Sequence, residues 1–218
     1  MRQTKTRCAA GKLAIDGGPK AKATPYRKGM RFGRDELKEL KEALAQNTLF
    51  YAHGQKVRQF CETLASKYGR KYAVATTSGT AAIHVALGAV GVGVGDEVVT
   101  SVLTDAGSFI PILYQNAVPV FADIDPRTYM MTPETIEAKL TPRTKAILVV
   151  HLAGNAADMD GILKLARRRK LMVVEDCAQS WNCFYKGRPV GTLGHIGCYS
   201  LNDYKHLSVG DGGVVLTD

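Results

Sequence analysis

The sequence has no apolar run of membrane-spanning length, and its basic first residues, MRQTKTRCAAGKLAIDGG, lack the apolar core of a signal peptide. A cytoplasmic location and no membrane partner are therefore the expectation. There is no CxxC pair and no familiar zinc spacing among Cys8, Cys61, Cys177, Cys183 and Cys198. No metal is expected, and the odd cysteine count suits reduced thiols. No internal repeat, low-complexity tract or dividing linker interrupts the chain, so one large domain is the default. Nor does any nucleic-acid reading motif or basic stripe interleaved with aromatics accompany the formal net charge of +9. The densest basic run, Arg167 to Lys170, falls at an apparent helix end, where the helix dipole favours cations. No nucleic-acid partner is expected, whereas a phosphorylated small molecule would suit the same charge.

What is present is a regular alternation. The 218 residues can bury a sizeable core, and 45% hydrophobic content is that of a globular protein. Residues 1–32 are rich in glycine, proline and basic side chains and read as an arm; residues 33–218 read as one large domain. DELKELKEALAQ, Asp35 to Gln46, places Leu37, Leu40 and Leu44 on one helical face, and a second helix is expected over Val57 to Tyr68. Short apolar runs then alternate with helical ones. Strands are expected at Tyr72–Thr76, Glu97–Ser101, Pro119–Ala122, Ala146–Val150, Leu171–Val174 and Gly197–Leu201. Helices are expected at Thr80–Val90, Ser108–Asn116, Pro133–Lys139 and Met159–Lys170. This pattern predicts an α/β fold, a mostly parallel sheet sandwiched by helices, with ligands bound beyond the carboxyl ends of its strands. The glycines of GVGVGDE follow a helix and precede a strand, the wrong order for a dinucleotide fingerprint, and read as a turn.

Three strand ends carry chemistry. Thr76 to Ala82, TTSGTAA, opens a helix with Ser78, Gly79 and Thr80, which either cap it or cradle an anion. EDCAQS follows the strand LMVV and puts two adjacent carboxylates at an apolar strand end, where an uncompensated charge is costly. They read either as helix caps or, for Asp176, as the partner of a cationic group such as a pyridinium N–H. SLNDYKHLSVGDGG carries Lys205, whose amine could form an imine with an aldehyde, and Ser200 precedes it; the glycines that follow permit a tight return into another strand. Each element alone is ambiguous. Together they are the groups that pyridoxal 5'-phosphate requires: a phosphate cradle, an acid for the ring nitrogen and a lysine for the aldehyde.

The chain resembles the DegT/DnrJ/EryC1/StrS family of PLP-dependent aminotransferases. The resemblance runs through LAIDGGPKA, KYAVATTSGTAAIHVAL, GVGVGDEVV, the long segment AVPVFADIDPRTYMMTPETIEAKLTPRTKAILVVHLAGNAADMDGI, VVEDCAQS, YKGRPVGTLGHIGCYS and KHLSVGDGGVVLTD. It implies the large domain of a fold type I enzyme, with Lys205 as the catalytic lysine and Asp176 as the acid at the pyridine nitrogen. It further implies a cofactor contact at Gln179 and phosphate contacts at Gly79, Thr80 and Ser200, to which the helix start adds Ser78. The expected reaction moves an amino group from glutamate or glutamine to a keto sugar, nucleotide-linked sugar or keto cyclitol, in a homodimer. Dehydration of a sugar and non-catalytic binding of cofactor or protein are the alternatives; dehydratase relatives carry histidine in place of the lysine. Two departures stand out. Asp105 occupies a position where many members stack an aromatic residue on the ring, so a polar role toward substrate is one expectation there, with Phe109 the nearest aromatic and expected in the core. The family also continues beyond GGVVLTD, so the large domain is expected to be incomplete and the small C-terminal domain absent. His151, at a strand end, is expected either to touch substrate or to cap the sheet.

Overall fold

The computed structural model describes residues 12–20, 22, 24 and 31–218. Cys8 lies outside them. The chain divides into two compact units, Met1–Thr48 and Leu49–Asp218. The first holds a short 3-10 turn, Ala14–Asp16, and helix α1, Arg34–Ala45, whose start is closed by the Gly33 N–H donating to Glu36 Oε2 at 2.6 Å. Its leucine face, Leu37, Leu40 and Leu44, is exposed.

The second unit is built on a seven-stranded sheet. Its strands are β1 (Tyr72–Thr76), β2 (Glu97–Ser101), β3 (Val118–Ala122), β4 (Thr144–Val150), β5 (Met172–Asp176), β8 (Ile196–Ser200) and β9 (Gly213–Thr217); β6 (Phe184–Tyr185) and β7 (Arg188–Pro189) form a separate hairpin. The order across the sheet is β1-β9-β8-β5-β4-β2-β3. β9 runs against both neighbours, while the remaining strands share one direction. The carboxyl ends of β1, β2, β4, β5 and β8 therefore open on one edge.

Helices α2 (Lys56–Tyr68), α3 (Gly79–Ala89), α4 (Ala106–Tyr114), α5 (Pro133–Glu137) and α6 (Met159–Arg169) cover the sheet. Alternation along the strands sorts the two faces. Val98, Leu148 and Val174 pack under Ile83, Leu87 of α3 and Ile112 of α4. Their neighbours Val99, Ile147, Val149 and Val173 pack on the other face against Ile136, Met159, Ile162 and Leu165. Both faces are covered, which is why the middle of each strand, Val98–Val99, Ala146–Val150 and Met172–Val174, is continuously apolar rather than alternating. A third cluster joins Leu64 of α2 to Trp181, Tyr199, Val214 and Leu216.

The expected strands and helices all occur, with shifts at their ends. α4 starts at Ala106 rather than Ser108, because Asp105 caps it. β5 continues through Glu175 and Asp176 instead of stopping at Val174, since both carboxylates find donors in the interior. No helix follows them, so they are not helix caps. Asp158 caps α6 by accepting from Gly161 N, and Arg168 and Arg169 at the other end of α6 pair with Glu137. Gly91–Asp96 is a turn. Among the described residues no helix is long and apolar enough to cross a membrane.

Candidate active site

A cavity of about 350 Å³ lies beyond the carboxyl ends of the parallel strands. Ser78, Gly79, Thr80, Asp105, His151, Asp176, Gln179, Ser200 and Lys205 all line it, although they are scattered from the end of the first strand to the loop after β8. The topology causes this: each follows or ends a strand pointing the same way.

The end of β1 passes into α3 through Ser78, whose backbone is extended and whose Oγ accepts from Ala81 N at 3.0 Å. That bond satisfies one orphan donor of the helix start and leaves Gly79 and Thr80 N–H ahead of the first intrahelical acceptors, at the positive end of the dipole. Gly79 is required here: a Cβ would lie 2.7 Å from Ser200 Cβ. Close contact thus brings the start of α3 against the end of β8, so Ser200 Oγ and the α3 amides share one corner. Such a corner suits a phosphate.

Asp176 ends β5 on the cavity side and is 4% exposed. Its Oδ2 accepts from Ser108 Oγ at 2.7 Å, its Oδ1 from Ala178 N at 3.0 Å, and its carbonyl from His151 N at 3.0 Å. Burial pushes its pKa above the ordinary carboxylate value, against the lowering effect of Ser108, Ala178, His151 and Lys205. A buried carboxylate of this kind is poised to take a cationic N–H partner.

Glu175, one residue earlier, points to the opposite face and does not line the cavity. Its oxygens accept from the backbone N–H of Gly191, Leu193 and Gly194 at 2.6 to 2.7 Å and from His151 Nε2 at 2.9 Å. Burial raises its pKa, but the His151 bond and the loop amides outweigh this and hold it below the ordinary value. His151 Nδ1 accepts from Ala157 N at 3.2 Å, so Nε2 carries the proton given to Glu175. Both ring nitrogens are thus engaged by protein, and the expectation that His151 touches substrate narrows to contact through the ring's carbon surface. His151, Glu175 and the Cys177 thiol converge closely enough to resemble a metal site, but the carboxylate and imidazole lone pairs are already occupied.

Lys205 sits on the loop after β8, its N–H bonded to the Asn202 carbonyl at 2.9 Å. Asn202 holds this loop at two further points: its Oδ1 accepts from Tyr204 N at 3.1 Å and its Nδ2 donates to Asp211 Oδ1 at 2.8 Å. Gln179 Oε1 accepts from Ala153 N at 3.1 Å, which directs the amide nitrogen to other acceptors. Asp105 caps α4 through Oδ1, 2.8 Å from Gly107 N. Phe109 packs with the core and stands edge-on to Phe121 at 5.6 Å, as expected of a core residue. Tyr204, next to Lys205 in sequence, is 93% exposed and not part of the cavity. Cys177 and Cys198 are buried, and burial pushes both thiols well up, so they are core residues and not nucleophiles. Ser108, Thr104, Asn202 and Asp211 line the cavity without having been singled out from sequence.

The fold is that of the large domain of fold type I PLP aminotransferases. Residues 31–218 match the DegT/DnrJ/EryC1/StrS aminotransferase family, and the chain belongs to it. It is 38% identical over 211 residues to the L-glutamine:scyllo-inosose aminotransferase of Streptomyces griseus, covering 94% of this chain and 50% of that protein. The crystal structure of an aminotransferase from Psychrobacter cryohalolentis superposes with a TM-score of 0.85 at 43% identity, over 88% of this chain and 49% of that one. That of NtdA from Bacillus subtilis, with bound cofactor PMP, gives 0.78 at 36%, over 84% and 41%. The chain spans about half the length of the curated relatives it matches.

Proposed function

We propose that the protein is a PLP-dependent aminotransferase moving an amino group from glutamine or glutamate to a keto sugar, nucleotide-linked sugar or keto cyclitol. The observation that carries this reading is the convergence, in one cavity, of a helix N-terminus, a buried carboxylate and a lysine. Ser78, Gly79, Thr80 and Ser200 would hold the phosphate, Asp176 the ring nitrogen, Gln179 a ring substituent and Lys205 the aldehyde carbon. When bound, PLP supplies an electron sink for the bond-breaking at the amino donor's Cα. The chain's own work is to orient and to move protons. Asp176 would keep the ring nitrogen protonated by pairing with its N–H. The Lys205 amine would hold and move the proton at the amino donor's Cα. The helix start and Ser200 would hold the phosphate and so orient the group toward Lys205.

A polyhydroxylated acceptor is supported by the polar rim that Asp105, Asn202 and Asp211 give the cavity, and by the cyclitol named for the Streptomyces griseus relative. A homodimer is supported by the exposed apolar side chains of Leu49, Phe50, Tyr51, Tyr72 and Val74, the last two on β1, which ends the strand order among the described residues. A cytoplasmic site is supported by the free thiols of Cys61, Cys177, Cys183 and Cys198. The proposed division is an arm over 1–32, much of which lies outside the described residues, and a cofactor-binding domain over 33–218; the compact units divide later, after Thr48.

The test is chemical capture. Incubation with PLP and then borohydride should place one cofactor on the peptide containing Lys205, and Lys205→Ala should abolish it. Glutamine or glutamate added before borohydride should convert the cofactor to its amino form and prevent capture. Capture that neither donor prevents would favour a non-catalytic binding protein, and absence of capture would overturn the cofactor reading.

A further inference from the structure

Two hydroxyls stand behind the carboxylate of Asp176. Ser108 Oγ lies 2.7 Å from Asp176 Oδ2, and Thr104 Oγ1 lies 2.6 Å from Ser108 Oγ. Ser108 and Asp176 are 2% and 4% exposed, and Thr104 is half-buried at the cavity wall. Donor arithmetic sets the direction. An ionised carboxylate only accepts, so the single Ser108 hydrogen goes to Asp176; the hydrogen between the two hydroxyls must then come from Thr104. The spacing of Thr104 and Ser108, four residues across the start of α4, puts both on one face of the helix entry. The other oxygen, Oδ1, is engaged by Ala178 N.

We propose that Ser108 and Thr104 are positioning residues for Asp176, a relay running Thr104 to Ser108 to Asp176 that holds the carboxylate in its acceptor-only form facing the cavity. A protonated Asp176 keeps acceptor oxygens, so the same order persists, but the inner link then ends on a neutral and weaker acceptor. The relay therefore stabilises the anion selectively, because the Ser108 bond is charge-assisted only when Asp176 is ionised and the Thr104 bond strengthens it in turn. Its sense for catalysis rests on the reading above, in which an ionised Asp176 keeps the ring nitrogen protonated. The relay itself is a property of the cofactor-free protein. The other ionisable groups around Asp176 are His151 at the end of β4, Lys205 on the loop after β8, Glu175 and Cys177 beside it in sequence, and Cys198 opposite it on β8. None of them is altered by changing the hydroxyls.

The experiment titrates Asp176 directly, by NMR of carboxyl-labelled aspartate in the cofactor-free 218-residue chain, with Asp176→Asn identifying the resonance. Ser108→Ala should raise the midpoint by about one to two pH units, the worth of a hydrogen bond to a buried charge. Thr104→Val, which keeps the shape and removes the outer hydroxyl, should raise it by a smaller amount, and Ser108→Thr should stay near the parent. Unchanged midpoints in both Ser108→Ala and Thr104→Val would overturn the relay, and so would a shift in Ser108→Ala alone, because the second link would then be idle. If Ser108→Ala does not fold, Thr104→Val and Ser108→Thr still decide the matter. Borohydride capture of PLP in the parent chain separates the two readings. A shifted midpoint without capture supports the relay and removes the cofactor, whereas capture with unmoved midpoints does the reverse.

Discussion

The Glu175 carboxylate accepts the Nε2–H of His151 at 2.9 Å with both side chains wholly buried. The pair joins the end of β4 to that of β5, and through the amides of Gly191, Leu193 and Gly194 it also fastens the loop entering β8. Three of the strands that deliver cavity residues are thus pinned by one carboxylate. Adjacent acids have separate tasks: Glu175 holds the floor, and Asp176 faces the cavity.

Removing the pin is expected to be costly. Glu175→Ala leaves three loop amides and an imidazole N–H without partners and should lose about 3–5 kcal/mol, read as a lower urea midpoint. Glu175→Gln should lose less, since it keeps an acceptor oxygen. An Ala variant within about 0.5 kcal/mol of the parent would show that water or a rearranged loop replaces the carboxylate.

The same carboxylate predicts a pH dependence. Its folded pKa lies below the ordinary value. Its contribution is therefore full above the unfolded value of about 4.3 and is lost as pH falls through the folded one. Between these limits the parent should lose stability on acidification more steeply than Glu175→Gln. Parallel profiles of melting temperature against pH for the two would rule this out.

Asp176 predicts the opposite sign. Burial raises its folded pKa, so the ionised form costs stability that is absent below the unfolded value and fully felt above the folded one. Asp176→Asn should make the cofactor-free chain more stable near neutral pH, by about 1 kcal/mol, while weakening PLP capture at Lys205. A destabilised Asn variant would mean that Ser108 and Ala178 outweigh burial.

Most of the fold is legible because its signal is local. Ala146–Val150 is buried on both faces and reads as an apolar run; Ser78 caps α3 within three residues. The cavity walls follow from the strand ends once the sheet is taken as parallel. What escapes is non-local or polar. β5 reads as ending at Val174 because charge resembles a boundary, and only the loop at 191–194, 16 to 19 residues on, supplies the amides that bury Glu175. Ser108 lies 68 residues from Asp176 and is one hydroxyl among many. The four-residue spacing of Thr104 and Ser108 is visible in sequence, but nothing local says which strand end it faces. Asn202 looks like a generic loop residue until its bonds around Lys205 are seen.

Gly213 tests the phosphate corner. It pairs with Thr76 and Ser200 at the start of β9, and a Cβ there would lie 2.2 Å from the Ser78 carbonyl oxygen. That neighbour is backbone and cannot swing aside, so Gly213→Ala should displace the start of α3 at a cost of about 1–3 kcal/mol. PLP capture should need at least roughly tenfold more cofactor if a single phosphate hydrogen bond is lost, whereas pyridoxal, which lacks the phosphate, should be captured as before. Equal losses for both compounds would place the damage elsewhere than the phosphate corner.

Asp105 separates a structural from a substrate role by the same logic. It caps α4 and also rims the cavity, so Asp105→Ala removes both contributions and should cost about 1 kcal/mol of stability. Asparagine caps a helix as well as aspartate does, so Asp105→Asn should leave the melting temperature nearly unchanged while removing a charged acceptor of hydroxyl hydrogens. If Asp105 meets the polyhydroxylated substrate, the Asn variant should raise the acceptor's KM several-fold without altering the donor's. A variant with unchanged KM for both substrates and an intact melting temperature would confine Asp105 to its cap, leaving the rim's polarity to Asn202 and Asp211.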